Sequence, residues 1–384
     1  MSVPSGYSIA DYGDMVDCEP RMSIYAEALK RAVTPGCTVI DIGAGFGIFA
    51  LLACKYGAGS VIAIETDSSI ELLRELAEAN GCADKITIVR DLSTNFEPEK
   101  KADVIISDLR GTMPLFESHI AAIEDARNRL LAKGGKLLPM RDMLRVALAR
   151  SPKTYQSAHS PWTANRFGLD LKAGQRFAIN DSSKVYFKPS ALLSEPRDLV
   201  ALDYRSMTDP NVDGMVELTA STDNTAHGLL VWFDAEIDEG LTYSNAPGEP
   251  PLVYGQMFLP FAEPVKVKAN DTVSARIRAR LLEQDYIWTW DCKVRDGNSG
   301  ATRQAFQQST FKRKVIPPAT LRPGSNQHVP EPTLAVQIDR DCLDLIGDGR
   351  TLGEIAELLQ DRHASHFPDF QHALDHVANL MRRY

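Results

Sequence analysis

Cysteine is scarce: six in 384 residues, at Cys18, Cys37, Cys54, Cys82, Cys292 and Cys342, with no Cys-x-x-Cys pair. That scatter excludes a zinc ribbon and a disulfide framework. It fits isolated thiols in a reducing compartment, so a cytoplasmic protein is expected. No apolar run is long enough to span a bilayer, and MSVPSGYSIADYGD lacks the basic-then-apolar pattern of a signal peptide. No membrane partner is expected. A basic excess is missing too: 42 Lys and Arg stand against 51 Asp and Glu, for a net charge of −9. Nucleic-acid affinity comes from neutralising phosphates, so nucleic acid is not expected as a partner, whereas a cationic substrate suits the balance. The pairs His363/His366 and His372/His376 have ligand-like spacing but no companion motif such as HExxH, and no metal is expected.

What is present is an ordinary globular composition, 44% hydrophobic and 24% charged, in a chain too long for one core. Residues 20–33 read as an amphipathic helix stopped by Thr34-Pro35-Gly36. CTVIDIGAG reads as a buried strand entering a glycine turn, and IFALLACKYGA as a helix. SVIAIETD, KITIVRD and DVIISDLRG read as further strands. HIAAIEDARNRLLAKGG reads as a helix ending at its glycine pair. GKLLPMRDMLRVALARS reads as a strand pair leaving the sheet. Strand and helix alternate from 37 to about 140, which predicts a parallel sheet and, with the N-terminal helices, a Rossmann-like α/β domain over residues 1–142.

From 143 to 315 the segments MVELTAS, GLLVWFDAEID, VKVKANDTVSARIRARL and YIWTWDCKV alternate or run in β-branched and aromatic residues between turns. They predict an antiparallel β-barrel domain, with a helical or looped excursion at about 153–193. Residues 316–333 are proline-rich and read as a linker. Residues 334–384 form a small α+β unit: TLAVQID as a strand, then two helices, the first opened by a Thr351/Glu354 capping box.

The chemistry concentrates at Asp41-Ile-Gly43-Ala-Gly45-Phe-Gly47. Glycines let the backbone approach a ligand at a strand-to-helix turn. Glu65, closing the next strand, can accept bonds from ribose hydroxyls. The geometry also describes dinucleotide sites. Asp41 directly before the glycines, the acid-x-Gly-x-Gly-x-Gly form, and Asp91 after the third strand favour S-adenosylmethionine (SAM).

Several ordered motifs over about residues 7–315 resemble the protein arginine methyltransferase family. They are MVDCEPRMSIY, VIDIGAGFGIFALLACKYGAGSVIAIE, SDLRGTMPLFES, FGLDL and YSNAPGEPPLVYGQ. The resemblance implies a SAM-dependent N-methyltransferase acting on a guanidino group of a peptide, a protein or free arginine. It puts Arg21 on the methionyl carboxylate, Asp41, Gly43, Gly45 and Glu65 around the rest of the cofactor, and Asp91 near the adenine. Asp108 and Glu117 stand as the catalytic acid pair, and the 153–193 excursion as the arm of a homodimer.

The acceptor side departs from the family, which has glutamate where Asp108 stands and a His-Trp pair where Val253 and Tyr254 stand. Two carboxylates hold a guanidinium in fork geometry, and an aspartate shortens one prong by roughly one C–C bond. Arg110, inside the same loop, either pairs with Asp108 and fills the guanidinium's place or grips a substrate carboxylate. Arg110, Tyr254 and Gln256 are the expected substrate contacts. The alternatives are another natural-product or peptide acceptor, and a SAM-binding scaffold with little activity. IDRDCLDLIGDGRTLGEIAELLQ resembles a PqqD-like winged-helix module, which implies a peptide partner bound along a strand edge at 334–384.

Overall fold

The computed structural model describes residues 7–164, 166–315, 326, 328–347 and 349–381. The chain divides into two compact units, 1–315 and 316–384.

Two helices open the first unit, α1 (Ile9–Asp17) and α2 (Glu19–Ala32). Ser8 and Asp11 cap α1 reciprocally, each side chain meeting the other's backbone N–H. In α2, Arg21, Tyr25, Ala28, Leu29 and Ala32 are buried at three- and four-residue spacing, so one face turns inward. Strands and helices then alternate as β1 (Thr38–Ile42), α3 (Ile48–Lys55), β2 (Ser60–Ile64), α4 (Leu72–Ala79), β3 (Ile86–Val89), β4 (Ala102–Ser107), α5 (His119–Asp125) and β5 (Leu131–Leu138). The sheet runs β3-β2-β1-β4-β5, and every pair is parallel. β1 is buried along its whole length, as a strand covered on both faces must be. Strand order reverses between β1 and β4, and ligands of such sheets sit outside the carboxyl ends at that point.

Two sequence expectations change here. The helix expected through the glycine pair instead passes through a π-helical stretch, Ala126–Leu130, and ends. LAKGGKLL is β5. Gly134, at φ +81°, belongs to an irregularity where the register with β4 shifts. Nor do the next two strands leave together. β5 pairs parallel with β4 and completes the first sheet, and only the following strand, β6 (Arg141–Ala149), enters the second.

After β6 come α6 (Pro152–Thr163), α7 (Gln175–Ala178), β7 (Ser183–Val185), β8 (Arg197–Asp203), β9 (Val212–Thr219), β10 (Asn224–Asp238), β11 (Leu241–Ser244), β12 (Gln256–Val267), β13 (Thr272–Leu282), β14 (Asp285–Arg295) and β15 (Thr302–Ser309). They form antiparallel sheets ordered β7-β12-β10-β6-β8, with β11 on β10, and β15-β14-β13-β9. β9 shows the period of two, with every other residue buried. The aromatic strand at 286–290 is core: Tyr286, Trp288 and Trp290 are buried, and Trp290 donates its indole N–H to Pro260 O at 2.9 Å.

Residues 316–325 and 327 of the proline-rich stretch lie outside the described residues. Among the described residues the second unit has three helices, α8 (Leu334–Asp344), α9 (Leu352–Arg362) and α10 (Phe370–Met381), around Ile338, Cys342, Ile355, Leu359 and Val377. The expected strand at TLAVQID is α8, so among the described residues this unit is all-helical and offers no strand edge. Ile338 and Cys342, four apart and fully buried, set a helical period, and Thr333 caps it by accepting from Val336 N–H. The Thr351/Glu354 capping box is formed in both directions. His363 pairs with Asp341 and His372 with Asp369, and no cluster of three potential metal ligands occurs among the described residues. No described helix is long and apolar enough to cross a membrane.

Candidate active site

Asp41 lies near the carboxyl end of β1, fully buried. Its Oδ2 accepts the Ala50 N–H at 3.1 Å, while Oδ1 has no partner. Burial pushes this carboxyl up to about 7. The next turn is held by Gly43 and Ala44 N–H groups donating to Ile64 O. Gly43 and Gly45 both have positive φ. A Cβ on Gly43 would stand 2.1 Å from Leu109, and one on Gly45 2.6 Å from the Tyr12 ring. Glu65 ties this turn to the end of β2. Its Oε2 accepts from Gly45 N–H at 3.0 Å, and Oε1 from the Thr66 and Asp67 N–H groups.

Tyr12 of α1 lies over the turn, edge-on to Phe46 and to Tyr7, and accepts a hydrogen bond from Ser69 Oγ. Asp91 is exposed and is spent locally on Leu92 N–H and Asn95 Nδ2. No hydrogen bond among the described residues links it to the turn.

A SAM molecule can be tested against these groups. The bare Cα atoms of Gly43 and Gly45 give Leu109 and Tyr12 room to close on the turn, which a Cβ at either position would deny. Asp41 Oδ1 is a buried acceptor lacking a donor, and Glu65 Oε2, with one donor, retains a lone pair for a hydroxyl. The residues fit the group.

The second constellation lies where β4 ends. Asp108 is buried, its side chain 4% exposed. Its Oδ2 accepts from Arg21 Nε at 2.6 Å and from Tyr254 OH at 2.5 Å; its Oδ1 accepts from Arg110 Nη1 at 3.1 Å. Burial would raise its pKa, but Arg21 and Arg110 outweigh burial and hold it below the usual carboxylate range. Arg110 is fully buried. It meets Asp142 through two parallel bonds at 2.9 and 2.8 Å and donates to Tyr25 OH at 2.7 Å. Tyr204 OH also donates to Asp142. Tyr254 lies parallel to Tyr243, with ring centroids 6.3 Å apart.

Glu117 follows in the same loop at φ +43°, a left-handed conformation unusual for a residue with a Cβ. It is exposed, yet partial burial and the Asp285 carboxylate push its pKa above the usual value. Burial raises Tyr7 as well, and the Glu117 and Asp108 carboxylates add to that, so Tyr7 lies within electrostatic reach of both acids.

The structure thus brings Arg21, Asp108, Arg110 and Tyr254 into one network. All three expected substrate contacts are buried and bonded within the chain, Tyr254 (5% exposed) through the hydrogen bond it donates to Asp108. Arg110 places four of its five N–H groups on Asp142, Tyr25 and Asp108. Gln256 is 6% exposed, donates to Asn245 O at 2.7 Å and accepts from Phe187 N–H at 2.8 Å. Each is buried because both of its ends find partners within the chain. Sequence reasoning missed Tyr7, Tyr12, Tyr25, Asp142, Tyr204 and His119. His119, 2% exposed, tilts against Tyr204, and its Nδ1 lies 2.8 Å from Pro114 O. Tyr25, which closes the MVDCEPRMSIY motif, and Tyr12, a few residues before it, carried a local signal.

The parallel five-stranded sheet, the acid–glycine turn and Glu65 beside it are the marks of a SAM-dependent methyltransferase with a Rossmann-like half. Residues 21–135 match the family described as Ribosomal protein L11 methyltransferase (PrmA), and residues 146–293 the Arginine methyltransferase oligomerization subdomain. An Arginine N(omega)-methyltransferase of Streptomyces achromogenes subsp. streptozoticus is 30% identical over 269 residues, covering 68% of this chain and 74% of that protein. Probable protein arginine N-methyltransferase 6 of Arabidopsis thaliana is 23% identical, covering 69% and 71%. Among solved structures, the Trypanosoma brucei PRMT1 enzyme-prozyme heterotetrameric complex with AdoHcy superposes with a TM-score of 0.72 at 23% identity, over 79% of this chain and 99% of that one. Arabidopsis thaliana protein arginine methyltransferase 10 gives 0.69 at 19%, over 78% and 97%. The chain belongs to the arginine methyltransferase family.

Proposed function

We propose that the protein methylates a guanidino nitrogen of arginine, free or within a peptide or protein, at the end of β4. The observation that carries this is the acid loop: a buried, ionised Asp108 and the exposed Glu117 lie on one short segment, and Tyr7 is within electrostatic reach of both. Bound SAM supplies a methyl group on a sulfonium, so an S–C bond breaks as the N–C bond forms. Asp41, Gly43, Gly45 and Glu65 hold the cofactor, and Arg21 serves its carboxylate. Asp91 is assigned to the adenine side by resemblance alone. Asp108 orients the guanidinium. Glu117 takes the proton that the methylated nitrogen loses, and its raised pKa favours that role. Arg110 and Gln256 act as positioning residues, the first fixing Asp108 and the second the start of β12. Arginine as the substrate is also what the Streptomyces relative's name states for that protein.

A homodimer fits this reading. The excursion after α6 exposes Phe167 (93%), Leu169 (57%) and Leu171 (38%), an apolar tip suited to a second copy. The match of 146–293 to an oligomerization subdomain supports it. A Phe167→Asp variant is expected to run as a monomer in light scattering. A cytoplasmic location agrees with six free, buried cysteines.

The test is methyl transfer from labelled SAM to free arginine, to an arginine peptide and to a lysate, with Asp41→Ala as control. Label on guanidino nitrogen that the control abolishes supports the reading. Label only on other acceptors overturns it. That second outcome has its own motive, since all three hydrogen bonds to Asp108 come from within the chain.

A further inference from the structure

Outside the closed network, the acceptor side has a rim of opposed charges. Asp285 opens β14, at the end of a hairpin turn that holds Glu283 at φ +58°. It is exposed. Its Oδ1 accepts from Tyr286 N–H at 2.8 Å. Its Oδ2 has no hydrogen bond among the described residues and faces Arg313 Nη2 across 3.7 Å, an ion pair too long to be a hydrogen bond. Arg313, just after β15, is half-buried and gives Nη1 to Asp181 Oδ1 at 3.1 Å. Its Nε and Nη2 make no hydrogen bond among the described residues. An anion and a cation thus stand face to face, each with hydrogen-bonding capacity to spare.

This pair borders the acceptor side from two directions. Asp285 lies close enough to Glu117 to push that acid's pKa up, after burial. Asp181, the other partner of Arg313, stands three residues before Lys184, whose Nζ donates to Val253 O at 2.5 Å. Val253 precedes Tyr254, whose hydroxyl donates to Asp108. β7, which carries Lys184, pairs with the start of β12 at Gln256. The hairpin, the segment after β15 and the start of β7 therefore converge beside the two acids assigned to the guanidinium.

We propose that Asp285 and Arg313 read the α-ammonium and the α-carboxylate of free L-arginine, so that the acceptor is the amino acid itself rather than an arginine inside a chain. This rests on the reading given above, that a guanidino nitrogen is methylated beside Asp108 and Glu117. The guanidinium carbon and the α-carbon of arginine are five bonds apart, roughly 6 Å when extended, which is within the range over which neighbouring charges act on one another. A zwitterionic head brings one charge of each sign. The ammonium takes the unbonded oxygen of Asp285, and the carboxylate takes the unbonded N–H groups of Arg313. One long ion pair is exchanged for two charge-assisted hydrogen bonds. Asp181 stays on Arg313 throughout and holds its guanidinium in position. An arginine within a peptide offers neither charge, because both groups are spent in amide bonds, and a basic neighbour on such a peptide meets Arg313 as a like charge.

The test compares four guanidines as acceptors of labelled methyl from SAM, with the full chain. They are L-arginine, agmatine, which lacks the carboxylate, Nα-acetyl-L-arginine, which lacks the ammonium, and a peptide with an internal arginine. In wild type, kcat/KM for L-arginine is expected to exceed that for each of the others at least about tenfold, the worth of one charge-assisted hydrogen bond. Arg313→Gln should cut the preference over agmatine at least about fivefold, and Asp285→Asn the preference over Nα-acetyl-L-arginine by as much. The wild-type arm decides the matter should a variant not fold. Equal kcat/KM for the four guanidines overturns the proposal, as does a folded variant that keeps the wild-type preference. Faster methylation of the peptide than of free arginine also overturns it and leaves the guanidino-acceptor reading standing. If none of the four is methylated, that reading falls and takes the proposal with it.

Discussion

On the cofactor side, Asp41, Gly43, Gly45 and Glu65 lie in one short stretch, and the buried acid keeps one oxygen without a donor. On the acceptor side, Arg21 and Tyr254 meet across 233 positions and Arg110 and Asp142 across 32. There both oxygens of Asp108 already have donors. One half of the site is a local backbone device with one buried polar atom left unmet. The other is a closed ionic network assembled by the packing of the α/β half on the β half. A turn that needs bare glycines loses its geometry when a Cβ is added, whereas a closed network loses stability when one member is removed.

The largest expected effect follows from the closed side. Asp142→Ala takes from Arg110 its two-bond partner and leaves two buried cations facing Asp108 alone, and breaking a buried pair in this way costs about 3–5 kcal/mol. Urea unfolding measures it, and a loss under 1 kcal/mol would mean that water reaches Arg110.

Next comes pH. Burial, with Arg110 adding, lowers His119 to about 4 from the ordinary 6.5. The unfolded chain then binds a proton across that window that the folded chain refuses. Stability falls as pH drops from 6.5 toward 4, by on the order of 3 kcal/mol for this group. Asp41 has the opposite sign: its folded carboxyl, raised to about 7, adds stability at low pH that is lost as pH rises through 7. Unfolding curves across pH for wild type, His119→Gln and Asp41→Asn should separate the two slopes. A His119→Gln variant with the wild-type acid slope would remove His119 from this account.

Gly43→Ala tests the open side. The added methyl meets Leu109 at a backbone angle that L-residues avoid, and SAM affinity should fall about a hundredfold, ~2.7 kcal/mol. Its melting temperature should change far less than that of Asp142→Ala. Equal losses in both would erase the contrast between the two sides.

The smallest effect sharpens the assignment of Gln256. Gln256→Ala removes two buried hydrogen bonds and should cost about 1–2 kcal/mol of stability. KM for the acceptor should be unaltered; a selective rise in KM would return Gln256 to the substrate.

Asp41, the glycines and Glu65 could be read from the chain because their chemistry follows from spacing along one strand–turn–helix. The same holds for the Thr351/Glu354 cap and for the buried strand at 286–290. Arg110 stood beside Asp108 in sequence, so their pairing was one of the readings. Its firmer bond to Asp142 had no local signal. TLAVQID looked extended because its residues are β-branched and apolar, yet Ile338 and Cys342 are buried one helical turn apart, and packing overrode propensity.

By itself, then, the sequence determined the parallel sheet, the cofactor turn and the order of the halves. Each rests on interactions between residues close along the chain, where hydrophobic period and glycine stereochemistry act directly. Only the tertiary structure decided which charges neutralise which. A buried ion chooses its partner by distance in space, and Tyr254 reaches Asp108 only once β12 is laid against β10 and the two halves are packed together.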